Sequence, residues 1–352
     1  MQATSPRSTL SDVAERAGVS KATASRVLSG SRDRVSERLA AQVLDAAAEL
    51  AYVPNPHARA LARAASPSVA VIVHDVGDPY FAEIARGALR VAADHERLVM
   101  ICATFRDPSR EVAYVDEMRA QRIHAVLVTG SSSAGLEVGG KLANALEAFR
   151  QEGGRVALMT GGQGHPAAVP DNEGGGRQAA EHLIALGHRR LGVVAGPKRV
   201  AAVWDRLNGF SQVVSEAGLE PAVVVHADFT RDGGAAAAAE LLDLRPDTTA
   251  VLALNDLMAV GVLRLVGERG RQVPSDVSVM GFDDIPLAAD IGLGLTTIRL
   301  PMEAIGAAAM DLALTAEPDD LPLQVFDTEL VVRRTTGPAR TSSSRDSDPG
   351  RR

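Results

Sequence analysis

The sequence predicts an all-α N-terminal head joined to an α/β body built on two doubly wound parallel sheets. Two short helices and a tight turn are legible in Leu10–Gly30, LSDVAERAGVSKATASRVLSG. Seven continuous apolar runs, at 69–73, 98–103, 125–129, 155–159, 191–196, 249–254 and 277–282, alternate with Ala-rich amphipathic stretches. Such runs suit strands buried on both faces. Their number divides into about two sets, one for each sheet.

In the head, Thr9 is placed to cap the first helix and Asp12 to answer it as a capping-box acid. Val13, Ala14 and Ala17 form its inner stripe. Gly18 suits a left-handed turn, and Ser20 the N-cap of the second helix. Ala24, Val27 and Leu28 supply that helix's packing face, while Lys21, Ala22 and Arg26 project from it. Small residues let a helix approach the floor of a major groove, and long donors reach guanine edges or phosphates. Thr23 and Ser25 fit phosphate contacts. A third helix is capped by Ser36 and carries Leu39, Val43, Ala47 and Leu50 at helical spacing. Asn55 and Pro56 then open a helix too short to stand alone in water.

Charge agrees with this division. The net charge of −7 splits into +3 through Ala65 and −10 beyond it, a basic head on an acidic body. The single cysteine, Cys102, lies in an apolar strand run and forbids an internal disulfide. No apolar run reaches the ~18 residues of a membrane span, and the first residues, MQATSPRSTLSD, have no apolar core of a secretory signal. A cytoplasmic, nucleoid-associated location is expected. No GxSxG, HExxH or CxxC is present. Asp283-Asp284 and Asp75/Asp78 are the carboxylate pairs that glycoside hydrolysis would need, and neither has a supporting motif. No enzyme activity, metal or cofactor is expected.

The order DVAERAGVSKATASRVL, then VSERLAAQVLDAAAELAYVPNPHARAL, resembles the LacI/GalR family of bacterial transcription regulators. VIVHDVGDPYFAEIARGAL, RLNGF, DFTRDGG, LALNDLMAVGVL, VPSDVSVMGFDD and LTTIRLP extend the resemblance to about Pro338. It implies a helix-turn-helix head, residues 1–53, a hinge helix and linker, 54–66, and a two-lobed periplasmic-binding-protein-like effector domain, 67–338. The lobes are expected at 67–165 plus 297–326 and at 166–296 plus 327–338, with a disordered tail over 339–352. It implies a homodimer on pseudo-palindromic double-stranded operator DNA, and no membrane. Lys21, Ala22, Thr23, Ser25 and Arg26 would meet DNA from the second helix. Asn55, His57, Arg59 and Leu61 would meet it from the hinge, Leu61 wedging a base step in the minor groove. Ala24 departs from the family's usual valine and trims packing volume there.

The resemblance also implies a small-molecule effector, a sugar first, held between the lobes. A purine or nucleoside co-repressor and a free sugar carrier are the alternatives. Arg206, Asn255 and Asp283 would be polar contacts, Tyr80 and Phe229 ring-facing aromatics, and Trp204 a selective lip; Asp75 and Phe81 follow the first strand into the same site. Phe81 also reads as core, and His74 as pocket wall or satisfied polar group. Asp256 and Asp284 read as helix caps, and His182 and His188 as structural. Gly174–Gly176 lacks the Lys-Ser/Thr of a phosphate loop.

Overall fold

The computed structural model describes residues 8–28, 35–53, 68–130, 136–161, 164–292, 294–317 and 320–340. The chain divides into two compact units, Met1–Pro67 and Ser68–Arg352.

The head holds α1 (Leu10–Arg16), α2 (Lys21–Leu28) and α3 (Glu37–Glu49). Thr9 Oγ1 accepts the Asp12 amide hydrogen, and the Asp12 carboxylate accepts from the Thr9 backbone, closing the expected capping box. Gly18 turns at φ 64°, and Ser20 Oγ accepts from the Thr23 amide. Val13, Ala14, Ala24, Val27, Ala40, Val43, Ala46 and Ala47 form one small core. Of the expected α3 stripe, Val43 and Ala47 are buried and Leu50 packs against this core, whereas Leu39 is 38% exposed and Ala40 is buried beside it. Ser36 stands at the N-cap without a side-chain hydrogen bond. The hinge positions Asn55, His57, Arg59 and Leu61 lie outside the described residues.

In the body, one sheet has the order β11-β5-β4-β3-β1-β2 and the other β12-β10-β9-β8-β6-β7. In the first lobe these are β1 (Ser68–Val73), β2 (Leu98–Ala103), β3 (Ala125–Val128), β4 (Arg155–Leu158), β5 (Ala167–Pro170) and β11 (Leu323–Phe326). In the second they are β6 (Leu191–Ala195), β7 (Val223–His226), β8 (Ala250–Ala253), β9 (Ser278–Asp283), β10 (Thr296–Arg299) and β12 (Glu329–Val331). All pairings are parallel except β10 with β12. The chain therefore crosses between lobes after β5, after β10 and after β11, so the crossings fall near 171, 300 and 327, where 166, 297 and 327 were expected. The Ala167–Pro170 run is too short and too close to prolines to stand out as a strand. Ala339 and Arg340 are tied back to Leu186 and Asp276; the expected disordered tail lies, from 341 on, outside the described residues.

Helices cover both faces of each sheet, as buried parallel strands require. In the first lobe α4 (Pro79–Asp94) and α12 (Met302–Thr315) cover one face, and α5 (Pro108–Ala120) and α6 (Leu136–Gln151) the other. In the second, α7 (Asn172–Ala185) and α8 (Ala201–Glu216) pair on one face, and α9 (Arg231–Leu244) and α10 (Asp256–Glu268) on the other, with the short α11 (Leu287–Asp290) after β9. Of the three glycines at 174–176, Gly176 belongs to the α7–α8 contact, while Gly175 packs against Phe282 of the sheet. A Cβ on Gly176 would lie 2.1 Å from the Arg206 carbonyl oxygen, and one on Gly209 would lie 2.0 Å from that of Glu173. Backbone thus meets backbone at this crossing, and α8 is held where Arg206 enters the space between the lobes. His188 Nδ1 meets Thr249 Oγ1 at 2.9 Å and its Nε2 the Gly337 carbonyl at 3.0 Å; His182 Nε2 meets Thr336 Oγ1 at 2.9 Å. Both histidines pin the last described residues to the second lobe.

Candidate functional site: the cleft between the two sheets

Ligand sites in open parallel sheets form beyond the carboxyl ends of the strands. Here both sheets present those ends to one cavity of about 980 Å³, counting its open mouth. From the first lobe come His74 and Asp78 after β1, Arg106 after β2, and Thr129 and Gly130 after β3. From the second come Asn172, Arg206, Phe229 after β7, Asn255 after β8, and Asp283 at the end of β9.

Arg206 organises the second-lobe wall. It is 5% exposed. Its Nε donates to Asn172 Oδ1 at 2.8 Å, its Nη1 to the Leu254 carbonyl, and its Nη2 lies 3.1 Å from Asp283 Oδ1. The guanidinium carbon sits 3.9 Å from the centroid of the Phe282 ring, so the cation is neutralised on one side and stacked on the other. Asp283 Oδ1 makes no hydrogen bond despite its nearness to Arg206. Its compensation is the Arg206 charge alone, and the residue lines the cavity. Burial pushes the Asp283 carboxyl well above the usual range; Arg206 pulls it down, and Asp256 and Asp78 push it up again.

Asp283 and Asp284 both have left-handed backbone, φ 111° and 54°, which non-glycine residues adopt at a cost. Asp256 holds this turn: its carboxylate accepts the Ile285 amide at 2.8 Å and the Thr297 hydroxyl at 2.6 Å. Burial raises Asp256 to about 7. Asp284 pairs with Arg299 at 2.8 Å and Arg333 at 2.7 Å. Neither aspartate is the cap that the sequence suggested. Asn255 takes that role for α10, its Oδ1 accepting the Met258 amide at 2.8 Å, and it lines the cavity as well.

The first-lobe wall is built around Asp78, which caps α4 by accepting the Tyr80 amide at 3.1 Å, with Pro79 at the first helical position. Arg106 Nη2 stands 3.5 Å from Asp78 Oδ2. Its guanidinium carbon lies 5.0 Å from the centroid of Phe229 on the opposite lobe, a cation–π contact across the cleft. Gly196 makes room for that ring: a Cβ there would sit 2.2 Å from Phe229 Cζ. Tyr80 and Phe81 meet edge to face at 5.0 Å. Burial, then the Asp283 carboxylate, pushes the Tyr80 hydroxyl up.

Of the residues expected here, Tyr80, Phe81, Arg206, Phe229, Asn255 and Asp283 line the cavity. Phe81 is also 5% exposed and packed in the core. Asp75 and Trp204 do not line it. The Asp75 carboxylate accepts the Gly77 amide at 2.8 Å, and the Trp204 indole, 42% exposed, donates to the Lys198 carbonyl. Arg106 and Asn172 were missed; a cation just past a strand was the available signal for the first. In the head, Lys21, Ala22, Ser25 and Arg26 lie on the exposed face of α2, Thr23 is half-buried, and Ala24 and Val27 are buried. Among the described residues no cluster of His, Cys, Asp and Glu is arranged to hold a metal. None of their helices is long and apolar enough to cross a membrane.

Comparison with known proteins places both units. Residues 9–55 match the model of bacterial regulatory proteins of the lacI family, and residues 180–336 that of a periplasmic binding protein-like domain. The chain is 35% identical over 346 residues to the HTH-type transcriptional regulator CelR of Thermobifida fusca, covering 93% of this chain and 98% of that one. It is 34% identical over 338 residues to the HTH-type transcriptional repressor CytR of Escherichia coli (strain K12), covering 93% and 96%. Among solved structures it is similar to a CelR–cellobiose complex, at TM-score 0.69, 32% identity and 94% and 100% coverage. It also matches a lac repressor dimer bound to operator and the anti-inducer ONPF, at TM-score 0.80, 26% identity and 94% and 99% coverage. With a lacI-type helix-turn-helix at its start and relatives matched along almost their whole length, this chain belongs to the LacI family of DNA-binding transcriptional regulators.

Proposed function

We propose that the chain is a ligand-gated repressor whose cleft takes a neutral, hydroxyl-rich ring compound, a sugar first. The observation that carries this is the pairing of Arg206, Asn255 and Asp283 on one side of the cavity with the Tyr80 and Phe229 rings. Hydroxyls answer such carboxylate and amide groups, and aromatic faces cover the apolar face of a sugar ring. Three carboxylates, Asp78, Asp205 and Asp283, stand against two guanidiniums, Arg106 and Arg206, in the lining. That balance disfavours a phosphorylated ligand. The relatives point the same way, one of them having been solved with cellobiose.

Two copies of the chain would hold a pseudo-palindromic operator, each with α2 in the major groove and Leu61 in the minor groove. Lys21, Ala22 and Arg26 would read bases and Thr23 and Ser25 phosphates, with Asn55, His57 and Arg59 assisting Leu61. Ligand would alter operator affinity by changing the relation of the lobes. This assigns the chain no catalytic step and a cytoplasmic place of work. The test is a melting screen of the full chain with sugars and nucleosides, each hit then titrated into a complex with operator duplex. A hit that moves operator affinity supports the reading; hits among nucleosides alone replace the sugar, and turnover of a hit removes the regulator-only account.

A further inference from the structure

One polar group of the cavity is left unused by that reading, and its surroundings fix what it offers. His74 directly follows β1, is 6% exposed and lines the cavity. Its ring is held edge-on to Phe81, 5.5 Å between centroids at 89°. Two oxygens address the Nδ1 side: Thr104 Oγ1 at 3.2 Å and Glu111 Oε1 at 3.6 Å. Thr104 is fully buried and Glu111 is 1% exposed, so the Nδ1 side is closed to solvent. The chain also wraps this face through the Phe105 amide, which donates to the His74 carbonyl at 2.7 Å. The Nε2 side looks toward Gly130 on the cavity wall. A Cβ at that glycine would stand 3.0 Å from Nε2, so the absence of a side chain at 130 keeps the nitrogen reachable.

Protonation does not compete with this arrangement. Burial first, then the Arg106 and Arg199 guanidiniums, together lower His74 to about 4. Glu111 is the acidic group that faces the ring. The neutral imidazole has one N–H to place. An N–H on Nδ1 meets two oxygens, Thr104 Oγ1 and Glu111 Oε1, whereas an N–H on Nε2 would turn the Nδ1 lone pair toward the Glu111 carboxylate and leave the Thr104 hydroxyl alone to donate to it. The lone pair is therefore left on Nε2, toward the cleft.

We infer that His74 is a specificity-determining residue of the first lobe: its Nε2 accepts a hydrogen bond from a ligand hydroxyl, with Thr104 and Glu111 as positioning residues. The inference rests on the reading of the cleft as a hydroxyl-binding site. It adds a neutral acceptor opposite the Arg206–Asp283 wall, so that one ligand is read from both lobes. A carbonyl or phosphate oxygen presented at this spot meets a lone pair and is rejected.

The full chain carrying 15N-labelled histidine tests the proton's place directly, with the His74 signals identified by their loss in His74→Phe. Long-range proton–nitrogen correlation should show a protonated Nδ1, a bare Nε2 and no titration between pH 5.5 and 8; a protonated Nε2 overturns the inference. Cellobiose, ribose, glucose and galactose are then titrated by calorimetry. For a sugar that binds the wild type, Gly130→Ala, which sets a methyl over Nε2, should weaken binding at least ten-fold. Glu111→Gln, whose amide can donate to Nδ1 and send the proton to Nε2, should do the same while the unliganded melt stays intact. Binding that both variants leave unchanged overturns the role of His74 alone. If none of these sugars binds the wild type, the sugar reading beneath it falls.

Discussion

Replacing Arg206 with methionine tests the wall on which the cleft depends. The change keeps most of the side-chain volume against Phe282 and removes the charge. Two acceptors lose their donor, Asn172 Oδ1 and the buried Leu254 carbonyl, and the Asp283 carboxylate loses its charge partner at 3.1 Å. At an effective dielectric near 20, unit charges 3.1 Å apart attract by about 5 kcal/mol. Desolvation of the pair offsets part of that attraction, but removing only one partner strands the other, a loss of about 3–5 kcal/mol. The stranded group then responds to pH. Without Arg206 the folded-state pKa of Asp283 rises further, so the folded state binds the proton more tightly than the unfolded chain does. Stability of the variant must then fall as pH rises above the ordinary carboxyl range. Urea unfolding of wild type and variant at pH 5.5 and 7.5, followed by the fluorescence of Trp204, the only tryptophan, reports this lobe. The deficit should be larger at pH 7.5 than at 5.5, and adding Asp283→Asn should restore at least half of it. A deficit below about 1 kcal/mol at pH 7.5 is too small for a buried pair, and a double variant no better than the single one removes the Arg206–Asp283 argument.

Other consequences are smaller and separable. Gly209→Ala puts a methyl 2.0 Å from the Glu173 carbonyl oxygen, so α7 and α8 must part; a cost of about 1–3 kcal/mol and weaker ligand binding should appear together, and an unchanged melt would show that the crossing yields. Thr9→Ala opens the capping box of α1, and the head's helical signal should melt earlier by about 1 kcal/mol of stability, with ligand binding unaltered. Lys21→Ala and Arg26→Ala should both lower operator affinity; a phosphate contact would lower the salt slope by about 1 and leave sequence preference intact, whereas a guanine contact would relax preference at one base pair at about 1–3 kcal/mol. Competition binding across single-base operator variants separates the two.

The parts legible in the sequence are those that local rules decide. The Thr9–Asp12 box, the turn at Gly18 and the apolar strands β1, β3, β6 and β8 each declare themselves within a few residues. β10 does not, because it is threonine-rich: Thr297 gives its hydroxyl to Asp256, and the Thr296 amide donates to Thr335 Oγ1. A central strand can be polar when distant partners satisfy it, and those partners are invisible in sequence. β11 is missed for the opposite reason. It is an exposed edge, with Leu323 and Val325 both more than half exposed, so it has no buried pattern to find. In the site, strand ends located Tyr80, Arg206, Phe229, Asn255 and Asp283, but helical phase decided against Trp204. It stands two residues before Arg206 on α8, about 200° around the helix, so when Arg206 points into the cleft Trp204 points away. Arg106 was hidden by two successive left-handed residues, Phe105 and Arg106, at φ 53° and 59°, a turn that nothing in those residue types announces.

The magnitudes also decide what holds Asp283 in its strained place. Its neighbour Asp284 belongs to a charged cluster reaching Arg299, Arg333 and, through Arg299, Glu329. Arg299 ends β10 and Glu329 begins β12, so the cluster joins the ligand-facing turn to strands bordering two of the lobe crossings. Yet Arg299 and Glu329 have side chains 44% and 67% exposed, and such pairs are worth about 0–1 kcal/mol. Asp256 is fully buried and makes two hydrogen bonds through one carboxylate, to the Ile285 amide just past the turn and to the Thr297 hydroxyl on β10. With the acid raised to about 7, each bond contributes from about 1 kcal/mol for the neutral group to about 1.5–3 kcal/mol for the charged one, comparable to the about 1–3 kcal/mol carried by each of Asp283 and Asp284 in a sparsely populated backbone region. A methylated glycine at 281 would collide with the same carboxylate, 2.2 Å from Asp256 Oδ1. The turn that aims Asp283 into the cleft is therefore fastened from two sides, by Asp256 inside the second lobe and by the largely buried Arg333–Asp284 pair, while the exposed Arg299–Glu329 pair adds little.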